Sequence, residues 1–213
     1  MRTISSIVTF LLFATMINAQ SLTTIKLNAP SKARGTNIME ALANRQSIRE
    51  YSNEKLNLQD LSDLLWAANG INRPDSNRRT AATARNNQDI DVYVIMKEGA
   101  YIHNAKANEL NPVATGDFRE LIADTQPFVL EAPIILLIVS DLSRFTGMDL
   151  ETQKQLGALD AGIVSQNIML FASACGFVTV PRAYMKKDEL KKALKLSDTQ
   201  VPMLNTPIGY PKK

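Results

Sequence analysis

One cysteine, one histidine and one tryptophan in 213 residues leave little of the usual apparatus of catalysis. A lone Cys175 permits no internal disulfide, no paired-thiol redox motif and no thiolate zinc site, because each needs at least two sulfurs. His103 alone builds no multi-histidine centre, so no metal site is expected, although a single histidine still suffices for a Ser-His-Asp triad. Excess charge is also scarce. The formal net charge is +3 and no Lys/Arg run interleaved with aromatics occurs, so nucleic acid is not an expected partner. What is present, 45% hydrophobic and 21% charged residues, suits one globular domain with a real core.

Long hydrophobic runs are few, and the first lies at the start of the chain. Arg2 precedes an apolar stretch from Ile7 to Ile17, followed by Asn18-Ala19-Gln20. That stretch is shorter than the roughly 18 residues needed to cross a bilayer and matches the apolar centre of a secretory signal. The expected organisation is a signal peptide over residues 1–19 cleaved before Gln20, an N-terminal extension over 20–35, and a domain over 36–213. Export to the periplasm or the extracellular space follows, with no stable membrane anchor.

The remaining chain alternates helix-like and strand-like segments without repeats, which predicts one α+β domain. Asn37 with Glu40 three residues later opens a helix that ends before Ser47. Asn57 caps a second helix, in which Leu58, Leu61, Leu64, Leu65 and Ala68 recur at helical spacing until Asn69-Gly70. The polar stretch from Ile71 to Asn87 has no period and reads as a long loop. Strands are predicted at Ile90–Met96, Tyr101–His103 and Ile134–Val139, the last buried on both faces because it shows no alternation. His103 falls on a hairpin as a surface or loop residue without a role. From about Leu150 to Cys175 runs one helix, apolar nearly all round in its second half, suited to a position shared with a second subunit. Gly176 caps it, Phe177–Pro181 forms a short strand, and Asp188–Leu196 a last helix. Cys175 reads as a small buried hydrophobe.

The informative constellation is Arg45-Gln46-Ser47-Ile48-Arg49. In an extended segment, residues two apart share a face, so Arg45, Ser47 and Arg49 aim two guanidiniums and a hydroxyl at one anion. A solvated basic pair at a helix end would leave the same five residues.

Arg45-x-Ser47-x-Arg49 after a short helix resembles the opening motif of the FMN-dependent nitroreductase family, including its azoline-oxidising branch. Ala84-Arg85-Asn86-Asn87-Gln88 ahead of a strand is similar to the family's Asn-x-Gln loop. Asp160-Ala161-Gly162 with Gln166-Asn167 resembles its long central helix. Gly176 to Pro181 is similar to the segment passing flavin N5, and Ile208-Gly209-Tyr210-Pro211 to its terminal strand. The resemblance implies a mixed or antiparallel sheet flanked by helices, and a homodimer with FMN as cofactor. It implies that Arg45, Gln46 and Ser47 meet the phosphate and ribityl chain, Arg49 the N1 edge, Asn86 and Gln88 the pyrimidine edge, and Pro181, Arg182 and Ala183 the N5 side. Lys212 would add charge at the phosphate, and Tyr184 and Arg85 would border the pocket for a small-molecule substrate. The chain departs from the family in having Ala82-Thr83 where Pro-Ser is common, and in offering only Lys212 and Lys213 after Gly-Tyr-Pro. The implied activity is transfer of electrons through flavin N5 to a small acceptor such as a nitroaromatic or quinone, with NAD(P)H as a candidate donor. Alternatives are an FMN-dependent dehydrogenase or oxidase of a peptide or small molecule, a flavin-binding protein without turnover, and a structural domain using Arg45 and Arg49 only as surface charge.

Overall fold

A computed structural model describes residues 21–212. The expected signal peptide and Lys213 lie outside the described residues. After the short strand β1 (Ile25–Lys26), the chain forms α1 (Ile38–Asn44) and α2 (Leu58–Asn69), each started by an asparagine whose side chain accepts a backbone N–H three residues on. Strands β2 (Ile71–Arg73) and β3 (Arg78–Arg79) pair as a small hairpin of their own. Then come β4 (Ile90–Ile95), β5 (Gly99–Asn104), β6 (Glu109–Thr115), α3 (Arg119–Ala123), β7 (Ile134–Asp141), α4 (Leu150–Cys175), β8 (Val178–Thr179), α5 (Lys187–Ala193) and β9 (Gln200–Gly209).

One antiparallel sheet has the order β1-β6-β5-β4-β7-β9-β8. Successive side chains of a strand point to opposite faces, and here both faces are covered. Ile90, Val92, Val94, Ile134, Leu136 and Ile138 pack against α2 and α4, while Tyr93, Ile95, Ile135, Leu137 and Val139 pack toward α3 and α5. Two cores on one sheet explain the unbroken apolar run in β7. The expected α+β class, antiparallel sheet and long central helix are all present.

Four expectations need correction. The stretch 71–87 is not a featureless loop but contains the β2–β3 hairpin, held by an Arg79–Ile71 register too short to show a period. β6 and most of β9 escape the sequence because Pro112, Pro202 and Pro207 lie inside them; proline normally argues against an inner strand. Pro112 and Pro202 sit where the register shifts, so the lost N–H groups cost little ladder. The segment expected as an extension contributes β1 and the buried Leu27 to the fold. His103 is a half-buried member of β5 rather than a loop residue, and burial with the nearby Arg79 charge pushes its imidazole down to about 4.

Candidate functional site

α1 ends at Asn44 because Arg45 turns extended (φ −60°, ψ 120°) while its N–H still reaches the Ala41 carbonyl. The chain then runs beside β8. Ile48 N–H donates to Thr179 O at 3.0 Å, Ser52 N–H donates to Tyr210 O at 2.9 Å, and Tyr51 bridges Pro211 antiparallel. Ile48 turns inward against Tyr51, Ala132 and Val178. Its neighbours Ser47 and Arg49 are therefore exposed, as is Gln46, and Arg45 is half-buried. Neither Arg45 nor Arg49 joins an ion pair among the described residues, and Arg49 lies 5.8 Å over the Phe128 ring. The Tyr51–Pro211 bridge sets exposed Lys212 across from Glu50 on the adjoining strand. Two unpaired guanidiniums and a hydroxyl thus line one edge, a donor set suited to a phosphate, while Lys212 lines a neighbouring cavity with Tyr51, Ser52, Asn53, Glu54 and Glu131.

Beyond β8, Pro181 is half-buried and Ala183 and Tyr184 are exposed. Arg182 departs from expectation. Its side chain is buried and donates to Gln126 Oε1 at 2.9 Å, Asn205 Oδ1 at 2.6 Å and the carbonyls of Ile122 and Ala123 at 3.2 and 3.3 Å. Its backbone N–H is spent on Asn205 O at 2.8 Å. Arg182 therefore ties α3 to β9 and offers a ligand nothing directly; the N–H groups of Ala183 and Tyr184, free of backbone partners among the described residues, are what this segment offers.

The Arg85–Gln88 loop is wound tightly. Arg85, Asn86 and Gln88 have φ of 54°, 57° and 50°, the left-handed region that non-glycine residues seldom enter. Arg85 and Asn86 are exposed. Gln88 is not available as expected: its Oε1 accepts from Arg79 Nε at 3.0 Å and its Nε2 donates to Asn77 O at 3.0 Å. The loop is anchored to α4, where both Asp160 oxygens accept the Ala84 N–H at 3.1 and 2.9 Å.

Asp160 entered the sequence reading only as part of the central-helix motif and without a role, although a carboxyl between Leu159 and Ala161 in an apolar helix is a visible anomaly. Asp89, also buried, lies beside it: a Cβ on Gly157, one turn before Asp160, would meet the Ser140 hydroxyl, and that hydroxyl donates to Asp89 Oδ2 at 2.5 Å, while Asp89 Oδ1 has no hydrogen-bond partner among the described residues. Burial pushes the Asp89 carboxyl up to about 7; Asp160 adds to the rise and Ser140 opposes it. A second missed cluster joins the N-terminal segment to the terminal strand. Arg34 Nη1 donates to Asp60 Oδ1 at 2.5 Å and Asp63 Oδ2 at 2.8 Å, and Tyr210 donates to Asp60. Half-buried Cys175 stands beside Arg34, and burial raises its thiol above the ordinary value.

The candidate residues fall into two groups. Ser173 on α4 donates to Ala41 O, one turn before Arg45, whereas Asp160 on α4 holds Ala84. Thirteen residues of helix separate these anchors, about 20 Å at 1.5 Å per residue. Arg45, Ser47 and Arg49 thus follow the α1 end that is anchored near the C-terminal end of α4, and Arg85 and Asn86 belong to the loop anchored at its middle. On its outer side α4 exposes Leu159 and Ile163, and α1 exposes Ile38, Met39 and Leu42. α4 is long and apolar enough to cross a membrane by composition, but its other face is buried against the sheet. No metal-binding cluster occurs among the described residues.

The site's cations thus lie along one edge of an antiparallel sheet held between two helical layers. Residues 42–210 match the Nitroreductase family, and the chain belongs to it as an oxidoreductase of that family. It is 31% identical to a Ralstonia eutropha protein of known structure described as a nitroreductase, with a TM-score of 0.83 over 89% of this chain and 90% of that one. A Methanocaldococcus jannaschii protein described as a nitroreductase is 27% identical over 179 residues, 80% of this chain and 89% of its own length. A Bacillus subtilis protein named FMN reductase [NAD(P)H] is 23% identical over 188 residues, 82% of this chain and 66% of its own length.

Proposed function

We propose that the chain is an FMN-dependent oxidoreductase that passes electrons to a small acceptor such as a nitroaromatic or quinone, and that it works as a homodimer after export. The observation that supports it best is the unpaired set Arg45, Ser47 and Arg49 on the exposed side of the segment that pairs with β8. FMN fits this donor set. Arg45 and Ser47, with Lys212, would hold the phosphate by charge-assisted hydrogen bonds. Arg49, braced on Phe128, would place positive charge where the reduced ring gathers negative charge. The N–H groups of Ala183 and Tyr184 would face the N5 side, and Asn86, donor and acceptor at once, would meet the pyrimidine edge. When bound, FMN supplies the electron-transferring centre that no side chain of this chain provides.

The roughly 20 Å along α4 between the anchors of the two residue groups supports the homodimer. A two-fold copy packed along the exposed faces of α4 and α1 would bring the partner's loop toward this chain's Arg45 segment and cover the apolar side chains there. The groove beside that face, about 430 Å³ and lined by Ile38, Trp66, Asn167 and Leu170, is open in a single chain.

Purified protein is expected to be yellow and to release FMN on denaturation; a colourless protein that ignores added FMN would overturn the reading. The Arg45→Ala/Ser47→Ala double variant is expected to lose the flavin, and unchanged occupancy would remove the phosphate-site assignment. The name of the Bacillus subtilis relative makes NAD(P)H the first donor to test, by anaerobic bleaching. Export predicts a mature protein beginning at Gln20; Met1 retained in exported protein would contradict it.

A further inference from the structure

We propose that Asp89 and Asp160 form a positioning pair in which Asp89, in its acid form, shares its proton with Asp160 and so fixes the 84–88 loop that presents Arg85 and Asn86 to FMN. The proposal rests on the reading that this loop meets the flavin.

The two carboxyls clasp the loop at both ends. Asp160 accepts the N–H of Ala84, which opens it, and Asp89 is the residue that follows Gln88, which closes it. Three left-handed residues in between hold the loop away from its preferred backbone, at about 1 kcal/mol or more each. Such a loop keeps its shape only where its surroundings over-determine it. Thr83 Oγ1 accepts Gln88 N–H at 2.9 Å, Arg144 Nη1 donates to Gln88 O at 2.6 Å, and Arg79 holds the Gln88 side chain.

The carboxyl pair has no such cationic help. The groups facing it are Ser140 from β7, the Ala84 N–H from the loop and the two acids themselves; no basic side chain bonds either carboxyl among the described residues. Arg144 is committed to Gln88 O and the Asp91 carboxylate. Two buried carboxylates without a counter-ion repel strongly, so one must keep a proton, and Asp89 Oδ1, otherwise unpartnered, is the atom with room for it. Burial holds that proton to about pH 7. Above it, repulsion acts between the first and last residues of the loop.

The test follows hydrogen exchange at Ala84 and Gln88 in FMN-loaded protein between pH 5.5 and 9, corrected for intrinsic rates, together with the FMN dissociation constant from flavin fluorescence. In the wild type, protection at Ala84 should fall by about ten-fold between pH 6.5 and 8.5, since each unit above the titration point costs up to ten-fold. FMN affinity should fall several-fold in parallel. Asp89→Asn, whose amide donates to Asp160 with no proton to lose, should flatten both profiles, and Asp160→Asn should do the same from the other side. A flat wild-type profile, or wild-type dependence retained in both amide variants, overturns the proposal. If Ala84 protection follows pH as stated while FMN affinity does not, the pair stands as a clasp and the placing of this loop at the flavin falls.

Discussion

Arg182 donates to two side-chain oxygens and two carbonyls in a buried place, so truncating it strands several acceptors at once. Arg182→Ala should cost about 3 kcal/mol, read as a lower denaturation midpoint, because unsatisfied buried acceptors carry their full desolvation penalty. Wild-type stability in that variant would show the bonds to be dispensable. Gly157 makes a similar point with no side chain: a Cβ there would drive into the Ser140 hydroxyl that serves Asp89. Gly157→Ala is expected to destabilise by about 1–3 kcal/mol by the same measurement. These residues also mark the boundary of what the sequence discloses. The exposure of Ser47 and Arg49 on either side of inward Ile48 was legible because it follows from a helix end and local alternation. The part played by Arg182 was not, since Gln126 and Asn205 lie 56 and 23 residues away in the chain.

α1, α2 and α4 were legible with nearly their true bounds because capping asparagines and a left-handed Gly176 act within one turn. The two proline-bearing strands were not, because only the partner strand shows that a proline falls on a bulge. α4 could be read as apolar nearly all round, but not that Gly157, Asp160, Ala161, Val164 and Ile168 face the sheet while Leu159 and Ile163 face outward. That division yields a prediction. Leu159→Asp combined with Ile163→Asp should leave folding intact and convert the proposed dimer to a monomer in sedimentation, with looser FMN retention. A variant that sediments like the wild type would place the interface elsewhere.

Across the whole molecule, half-buried His103 and buried Asp89 impose opposite pH trends. His103 is held neutral down to about pH 4, against an ordinary value of 6.5, so the unfolded chain binds more protons between them and stability is lost as pH falls through that window. Asp89 is raised from 3.8 to about 7, so the folded chain binds more protons there and stability is lost as pH rises through it. Each slope is at most about 1.4 kcal/mol per pH unit, and from about pH 4 to 6.5 the two oppose each other. Relative to the wild type, His103→Gln should therefore make stability decline more steeply with rising pH there, and Asp89→Asn should make it climb. Urea midpoints at pH 4.5 and 6.5 read both signs; parallel profiles for all three proteins would refute the assignment.

The sheet ends on both sides in a very short strand. At one border stands β1, two residues long, and at the other β8, also two residues long, with the chain around Ile48 and Tyr51 lying against it. Short borders, with Pro112 in β6 and Pro202 and Pro207 in β9 removing N–H donors just inside them, give a foreign strand little to zip onto, which protects against aggregation by edge-to-edge growth. The same closure restricts how two copies can meet: β-augmentation is disfavoured at both margins, and the helical faces remain as the surface through which a lasting pair can form.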